Sequence, residues 1–190
     1  VDPHELLLDA DGSLLVANGG IPTLPETGRL KIGLERRDAP LVRLDTASGA
    51  PPGQRRLPDP RLSLRHIAWG GPGQRLLGIA LQAEHADTEV RKTAPLLALF
   101  DGRALRTAEA PQPLAGYGGD IAATADGWAV SCPRVNGVAL YAPDGRVRGV
   151  APLPNACALA VVDGVCWAAG QTEAMPLHSS AAGRNRRRLE

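Results

Sequence analysis

The sequence predicts an all-β chain, a WD40-like β-propeller with about three and a half four-stranded blades in a partial ring, and three observations carry that expectation. First, Gly119 to Leu153 holds four short apolar runs, separated by turns at Asp126-Gly127 and Asp144-Gly145 and by one longer bend from Pro133 to Gly137. That is the pattern of one antiparallel unit, with each Asp-Gly pair read as a two-residue type I′ hairpin. Second, seven such turns fall in one order along the chain, first hairpin then second hairpin, three times over, with a last first hairpin left alone. Four strands per unit at this spacing is the signature of propeller blades. Third, Gly (22) and Pro (17) are abundant while aromatic residues make up 3%, so turns are frequent and small aliphatic side chains must fill the cores. Two facing sheets built from the same hairpins are the competing architecture, but a sandwich does not require hairpins in equal pairs.

The first unit opens with His4 to Leu8, turns at Asp11-Gly12 and continues from Ser13 to Asn18. A polar excursion from Gly19 to Pro40, carrying Pro22, Pro25, Gly28 and Gly33, reads as an ordered loop or a short accessory hairpin. The unit resumes at Leu41 to Leu44, turns near Ser48-Gly49 and ends around Gln54 to Leu57. The second unit runs Arg65 to Trp69, turns over Gly70 to Gly73, and returns from Arg75 to Gln82. After a charged insertion, Ala83 to Thr93, come Leu96 to Phe100 and Ala104 to Ala108, joined at Asp101-Gly102. Gly119 to Leu153 is the third unit, and the fourth is a lone hairpin, Ala156 to Val162 and Val165 to Ala169, turning at Asp163-Gly164. Blades therefore occupy residues 1–170. Beyond Gln171 the alternation is lost and the chain ends in a basic cluster, so 171–190 reads as a disordered or non-native tail.

A formal charge of +1, from 21 basic and 20 acidic side chains, gives no field that would draw nucleic acid or an anionic membrane. No run of 18 apolar residues is present, so no membrane span is expected. Val1 opens in mid-pattern without an initiating Met or signal sequence, which reads as a processed product or the C-terminal half of a larger ring. Such a piece exposes apolar blade faces, to be covered by further chain or by self-association of the incomplete ring. Cys132, Cys157 and Cys166 match no zinc spacing. The hairpin at Asp163-Gly164 sets Cys166 opposite Val161 and Cys157 opposite Gly170, too far apart for a disulfide. All three are expected to be small buried or half-buried residues. Trp69, Trp128 and Trp167 occupy similar places in their blades and read as packing.

In a propeller the first strand of each blade lines the central channel, so residues at its start gather at one mouth. Aligning the units sets His4-Glu5, Arg65-His66, Gly119-Asp120 and Asn155-Ala156 in corresponding positions. The second strand returns toward that mouth and ends at Asn18, Gln82 and Cys132, the last leading on to Arg134 and Asn136. The candidate ligand-binding set is therefore His4, Glu5, Asn18, Arg65, His66, Gln82, Asp120, Arg134 and Asn136. Two imidazoles beside Glu5 or Asp120 also suit a divalent metal or acid–base work, and equally suit the hydrogen bonds that tie strands together. No phosphate-cradling glycine loop, nucleophile elbow, HExxH or calcium loop occurs, so no catalytic residue, metal or cofactor is assigned. His85 with Asp87-Thr88-Glu89 reads as a solvated charged loop.

The segments DPHELLLDADGSLLVANGGI (2–21), LPETGRLKIGL (24–34), LRHIAW, IALQAEH, APLLALFDG, GYGGDIAATADG and SCPRVNGVALYAPDGR are collinear with a bacterial exported propeller family. The chain resembles the family catalogued as domain of unknown function 1513 over about Val1 to Gly170. The resemblance implies a periplasmic WD40-like propeller, often exported by the twin-arginine route. It also implies iron-acquisition neighbours as partners, imelysin-type proteins and a di-haem oxidoreductase-like protein. It assigns no activity and no catalytic residue, and the tail after Gln171 departs from the family's pattern. The expectation is a non-enzymatic binding or scaffold propeller associated with iron or haem acquisition. The alternative is a metal-dependent hydrolase or lactonase with a His/carboxylate channel site.

Overall fold

Short apolar or alternating runs broken by Gly-containing turns yield fourteen of the sixteen β-strands among the described residues, in order along the chain; β15 and the two-residue β16 are the exceptions. The computed structural model describes residues 2–21, 26, 33, 35, 37–70, 75–109, 112–177 and 187–188. Most of the interior of the 19–40 insertion, the 71–74 turn and most of the 178–190 segment lie outside the described residues.

The strands are β1 (Pro3–Leu8), β2 (Leu14–Asn18), β3 (Leu41–Leu44), β4 (Gly53–Arg55), β5 (Leu62–Trp69), β6 (Leu77–Ala83), β7 (Leu97–Phe100) and β8 (Leu105–Thr107). They continue as β9 (Ile121–Thr124), β10 (Gly127–Cys132), β11 (Gly137–Tyr141), β12 (Val147–Pro152), β13 (Ala158–Val162), β14 (Val165–Ala169), β15 (Glu173–Leu177) and β16 (Arg187–Arg188). They form four antiparallel sheets of four strands, each a meander in sequence order. The first strands pack on one another in turn, β1 on β5, β5 on β9 and β9 on β13. The sheets therefore fan from a common line of first strands, a partial β-propeller.

Its cores lie between blades. On β6, Leu77, Ile79 and Leu81 face the first blade and join its Leu15, Ala17 and Leu41, together with Leu64 and Ile67 of β5. Ala80 of the same strand faces the third blade and joins Leu97, Leu99, Trp128, Val130 and Tyr141. A third cluster sets Ala122, Ala129, Val138 and Leu153 against Cys166 and Ala168. Each fully buried Leu or Ile in these seams contributes roughly 1.5–3 kcal/mol. Strands buried on both faces read as continuous apolar runs, which is why β6 and β7 stand out in the sequence.

Four expectations are corrected. The fourth blade is not a lone hairpin: β15 pairs with β14 and β16 with β15, so the strands run past residue 170. Pro176 lies inside β15, opposite Trp167, and all five β15 residues are half-buried, so neither composition nor alternation betrays the strand. Second, type I′ geometry is confined, among the Asp-Gly turns, to Asp163 (φ 50°) and Gly164 (φ 77°). At Asp11-Gly12 and Asp144-Gly145 only the glycine has positive φ. There the N–H of Gly12 donates to the Asp9 carbonyl, the Asp9 N–H donates to the Ser13 carbonyl, and Ala142 to Arg146 repeats this pair. These are type I turns with a G1 bulge, and the Asp carboxylate accepts from the N–H two residues on, Ser13 at 2.9 Å and Arg146 at 3.0 Å. At Asp126-Gly127 the paired residues are Thr124 and Gly127, so Ala125 and Asp126 make the turn without positive φ. Third, Cys157 is exposed, whereas Cys132 and Cys166 are buried. Fourth, part of the charged insertion is ordered as a short helix, α1 (Thr88–Thr93), capped by Asp87, whose side chain accepts from the N–H groups of Glu89 and Val90.

Candidate functional site

The first strands carry a repeated four-residue phrase, which closes β1 and β5 and opens at the head of β9 and β13: Glu5-Leu6-Leu7-Leu8, His66-Ile67-Ala68-Trp69, Asp120-Ile121-Ala122-Ala123 and Ala158-Leu159-Ala160-Val161. The hydrogen bonds fix this alignment. Glu5 Oε2 accepts from the N–H of Ile67 in the next blade. Asp120 Oδ2 accepts from the N–H of Leu159, again in the next blade, at 2.8 Å. Ala158 is thus the fourth blade's equivalent, in place of the Asn155-Ala156 pair suggested by the sequence. First strands have one edge facing the axis with no neighbouring strand, so their N–H groups need side-chain acceptors.

Between those two carboxylates stands His66. Its Nδ1 lies 3.5 Å from Glu5 Oε2 and 4.0 Å from Asp120 Oδ1, and the three side chains are 26–36% exposed. The N–H of Ile121, which the carboxylate pattern would leave for His66, is taken by Asp120 Oδ1 at 2.8 Å. His4 packs edge-on against His66, ring centroids 4.9 Å apart. Arg65 Nη1 is 3.2 Å from His4 Nδ1 and 3.4 Å from Asp2 Oδ2, and the arginine is buried. A guanidinium only donates, so Nδ1 of His4 is the acceptor and its proton sits on Nε2.

This setting drives the two imidazoles apart. The hydrogen bond to Glu5 holds the His66 pKa above its usual value, against the opposing pull of burial, and the Glu5 and Asp120 charges add to the rise. Burial pushes His4 down, and the charges of Arg65 and His66 push it further. Burial raises Glu5, but His66 and the Ile67 N–H outweigh it and leave the carboxyl below its usual range. For Asp120 burial wins over the Leu159 and Ile121 N–H groups, and its pKa is raised.

The structure thus brings together His4, Glu5, Arg65, His66 and Asp120, and adds Asp2, which the sequence reading missed. An acid two positions before a histidine is a weak signal, and its partner Arg65 is far away in sequence. The other four candidates belong elsewhere. Asn18 is buried, its Nδ2 donating to the Pro40 carbonyl at 3.1 Å. Gln82 Nε2 reaches the Gly118 carbonyl at 3.4 Å. Arg134 donates to the Ala115 carbonyl at 3.3 Å and stacks 4.5 Å above the Tyr117 ring. Asn136 is left-handed, φ 53°, and its Oδ1 accepts from the Asn155 N–H at 3.0 Å. All four tie loops to blades. Among the described residues no three His, Cys, Asp or Glu side chains are grouped so as to hold a metal ion.

Where Asp120 gives way to Ile121, the wall turns apolar. A groove of about 510 Å³ is lined by Trp69, Ile121, Ala123, Leu159 and Val161, so polar row and apolar groove are continuous along the first strands. A family model described as "Protein of unknown function (DUF1513)" matches residues 1–188. The chain belongs to that family. The match includes most of the segment read from the sequence as a foreign tail. No curated protein matches. Among solved structures, a streptogramin B lyase is similar with a TM-score of 0.66 and 12% identity, over 96% of this chain and 53% of its own. Virginiamycin B lyase from Staphylococcus aureus gives 0.66 and 13%, over 97% and 54%. A protein of unknown function from Bacteroides caccae gives 0.62 and 13%, over 97% and 59%. These likenesses establish the propeller fold, and the chain spans between half and three fifths of the length of each. No described helix is long and apolar enough to cross a membrane.

Proposed function

We propose that this DUF1513 protein is a non-enzymatic binding propeller of the periplasm, serving iron or haem acquisition, that meets its ligand or protein partner on the axial face. One observation carries the binding reading: the polar row is spent on structure, with an apolar groove beside it. Glu5 and Asp120 already accept backbone N–H groups, and His66 is held toward its protonated form between them. A general base works best with a lone pair that is not already engaged, and in this row Glu5 Oε2 and both Asp120 oxygens already face backbone N–H groups or His66. What it offers is a fixed imidazole donor above an apolar wall, which suits recognition of a molecule with a polar edge and an apolar body. Export and the iron connection are carried by the family resemblance.

The test is titration of the purified protein with hemin, followed by the Soret band, together with pull-down from periplasmic extract and growth of a deletion strain under iron limitation. Saturable binding or capture of an iron-uptake protein, lost on His66→Ala, supports the reading. No binding, no partner and unimpaired iron-limited growth overturn it.

A second reading, an acid–base hydrolase or lyase, is favoured by one feature: two carboxylates flank the His66 imidazole and favour its protonated form, the form a general acid needs. Two of the similar proteins are named lyases, though at 12–13% identity. A panel of lactone and ester substrates, with wild type and His66→Gln, decides: equal turnover, or none, removes it.

A further inference from the structure

We infer that His66 is a proton-operated latch for the first three blades, closed while its imidazole is charged and loosened when it is neutral. The links that surround it differ in kind. Blade one is tied to blade two, and blade three to blade four, by a carboxylate accepting a backbone N–H, from Ile67 and Leu159 respectively. Such ties are made by carboxylates, whose ordinary titration range lies well below that of an imidazole. The place between them is filled by a group that does change. With the Ile121 N–H already taken by Asp120, His66 holds no backbone group of blade three and reaches it only through Asp120 Oδ1, 4.0 Å away.

Charge therefore decides the junction. An imidazolium at this point attracts Glu5 of blade one and Asp120 of blade three at once. A neutral ring leaves those two carboxylates facing each other, and each then raises the cost of the other's charge. The remaining groups around the ring are His4, Arg65 and Asp2, with the Cys166 thiol beside Asp120. Arg65 is turned to Asp2 and to Nδ1 of His4, so it keeps His4 neutral; protonating His4 would set a second positive ring 4.9 Å from His66.

The two histidines then bound a window. The raised pKa of His66 gives stabilisation that is full below about 6.5, the unfolded value, and is lost as pH rises through the folded value. The lowered pKa of His4 gives stabilisation that is full above about 6.5 and is lost as pH falls through its folded value. The junction is tightest between the two, and this holds whether or not the axial face takes a ligand.

The experiment is amide hydrogen exchange of the whole chain from pH 5 to pH 9, read as protection factors at Ile67 and Ile121, with Leu159 on the blade three to blade four tie as the control expected to stay level. The latch predicts a bell-shaped profile. Its alkaline limb falls by up to about tenfold for each unit by which the His66 midpoint exceeds 6.5. His66→Gln should flatten the alkaline limb and His4→Gln the acid one. Level protection in the wild type, or an unchanged alkaline limb in His66→Gln, overturns the latch. Should His66→Gln fail to fold, long-range ¹H–¹⁵N spectra of wild-type His66 decide it: a titration midpoint at or below about 6.5 overturns the latch.

Discussion

Substituting Gly78 by alanine probes the seam between the second and third blades more sharply than any change at the axial face. Gly78 lies in β6, paired with Ala68 and Leu99, and its φ is not positive, so its backbone tolerates any residue. Space is the constraint. A Cβ there would sit 2.6 Å from Cε3 and Cζ3 of Trp128 and 2.8 Å from Cδ1 of Ile121, and Trp128 is 1% exposed with nowhere to retreat. Overpacking of this kind costs about 1–3 kcal/mol. Alanine regains about 0.5–1 kcal/mol of backbone entropy relative to glycine, so the middle of the two ranges leaves a net loss of about 1 kcal/mol. At about 2–4 °C per kcal/mol for a chain of this size, Gly78→Ala should melt several degrees below wild type. Trp128→Leu removes the obstructing ring, and with it a buried indole N–H that has no partner among the described residues. In thermal or urea unfolding, the double variant should be more stable than the sum of the two single losses by at least about 1 kcal/mol. A neutral Gly78→Ala, or strictly additive losses, would refute the interlocking of glycine and tryptophan across this seam.

Three further outcomes follow from local chemistry. In a thiol-reagent titration the folded protein should expose one reactive cysteine, Cys157. Cys132 and Cys166, buried and each pushed up to about 11, should react only after unfolding, and two fast thiols in the native state would contradict this. Asp120→Asn leaves a single oxygen for the N–H groups of Ile121 and Leu159, and orphaning one of them should cost about 1–3 kcal/mol in urea unfolding, against no change if the carboxylate is dispensable. Asp163 holds φ 50°, where a side chain costs about 1–2 kcal/mol, so Asp163→Gly should be neutral or stabilising in urea unfolding, and a clear loss would contradict the left-handed turn.

Most of the blades were legible because the middle strands bury both faces. Leu77 to Ala83 and Leu97 to Phe100 cannot be read as anything solvated, and glycines punctuate them at regular places. The axial row was legible in part. His4, Glu5, Arg65, His66 and Asp120 share a strand position, and position within a repeat survives without any knowledge of contacts. Asn18, Gln82, Arg134 and Asn136 misled because proximity to a strand end does not say whether a side chain faces the channel or folds back on a carbonyl, and here all four fold back or tether loops. Strand β15 was hidden by Pro176 and by its even half-burial, and the role of Asp120 by a partner that is a backbone N–H, which no side-chain pattern announces.

The apolar clusters belong to pairs of neighbouring sheets, never to one sheet. A blade with neighbours on both sides is gripped through two seams, so its resistance to opening follows the seams it shares even where local sequence is equally good. Excising or inserting a whole blade removes or creates an entire seam at once. Change in this architecture is therefore cheapest in the connecting loops and dearest at the contacts that successive sheets hold in common.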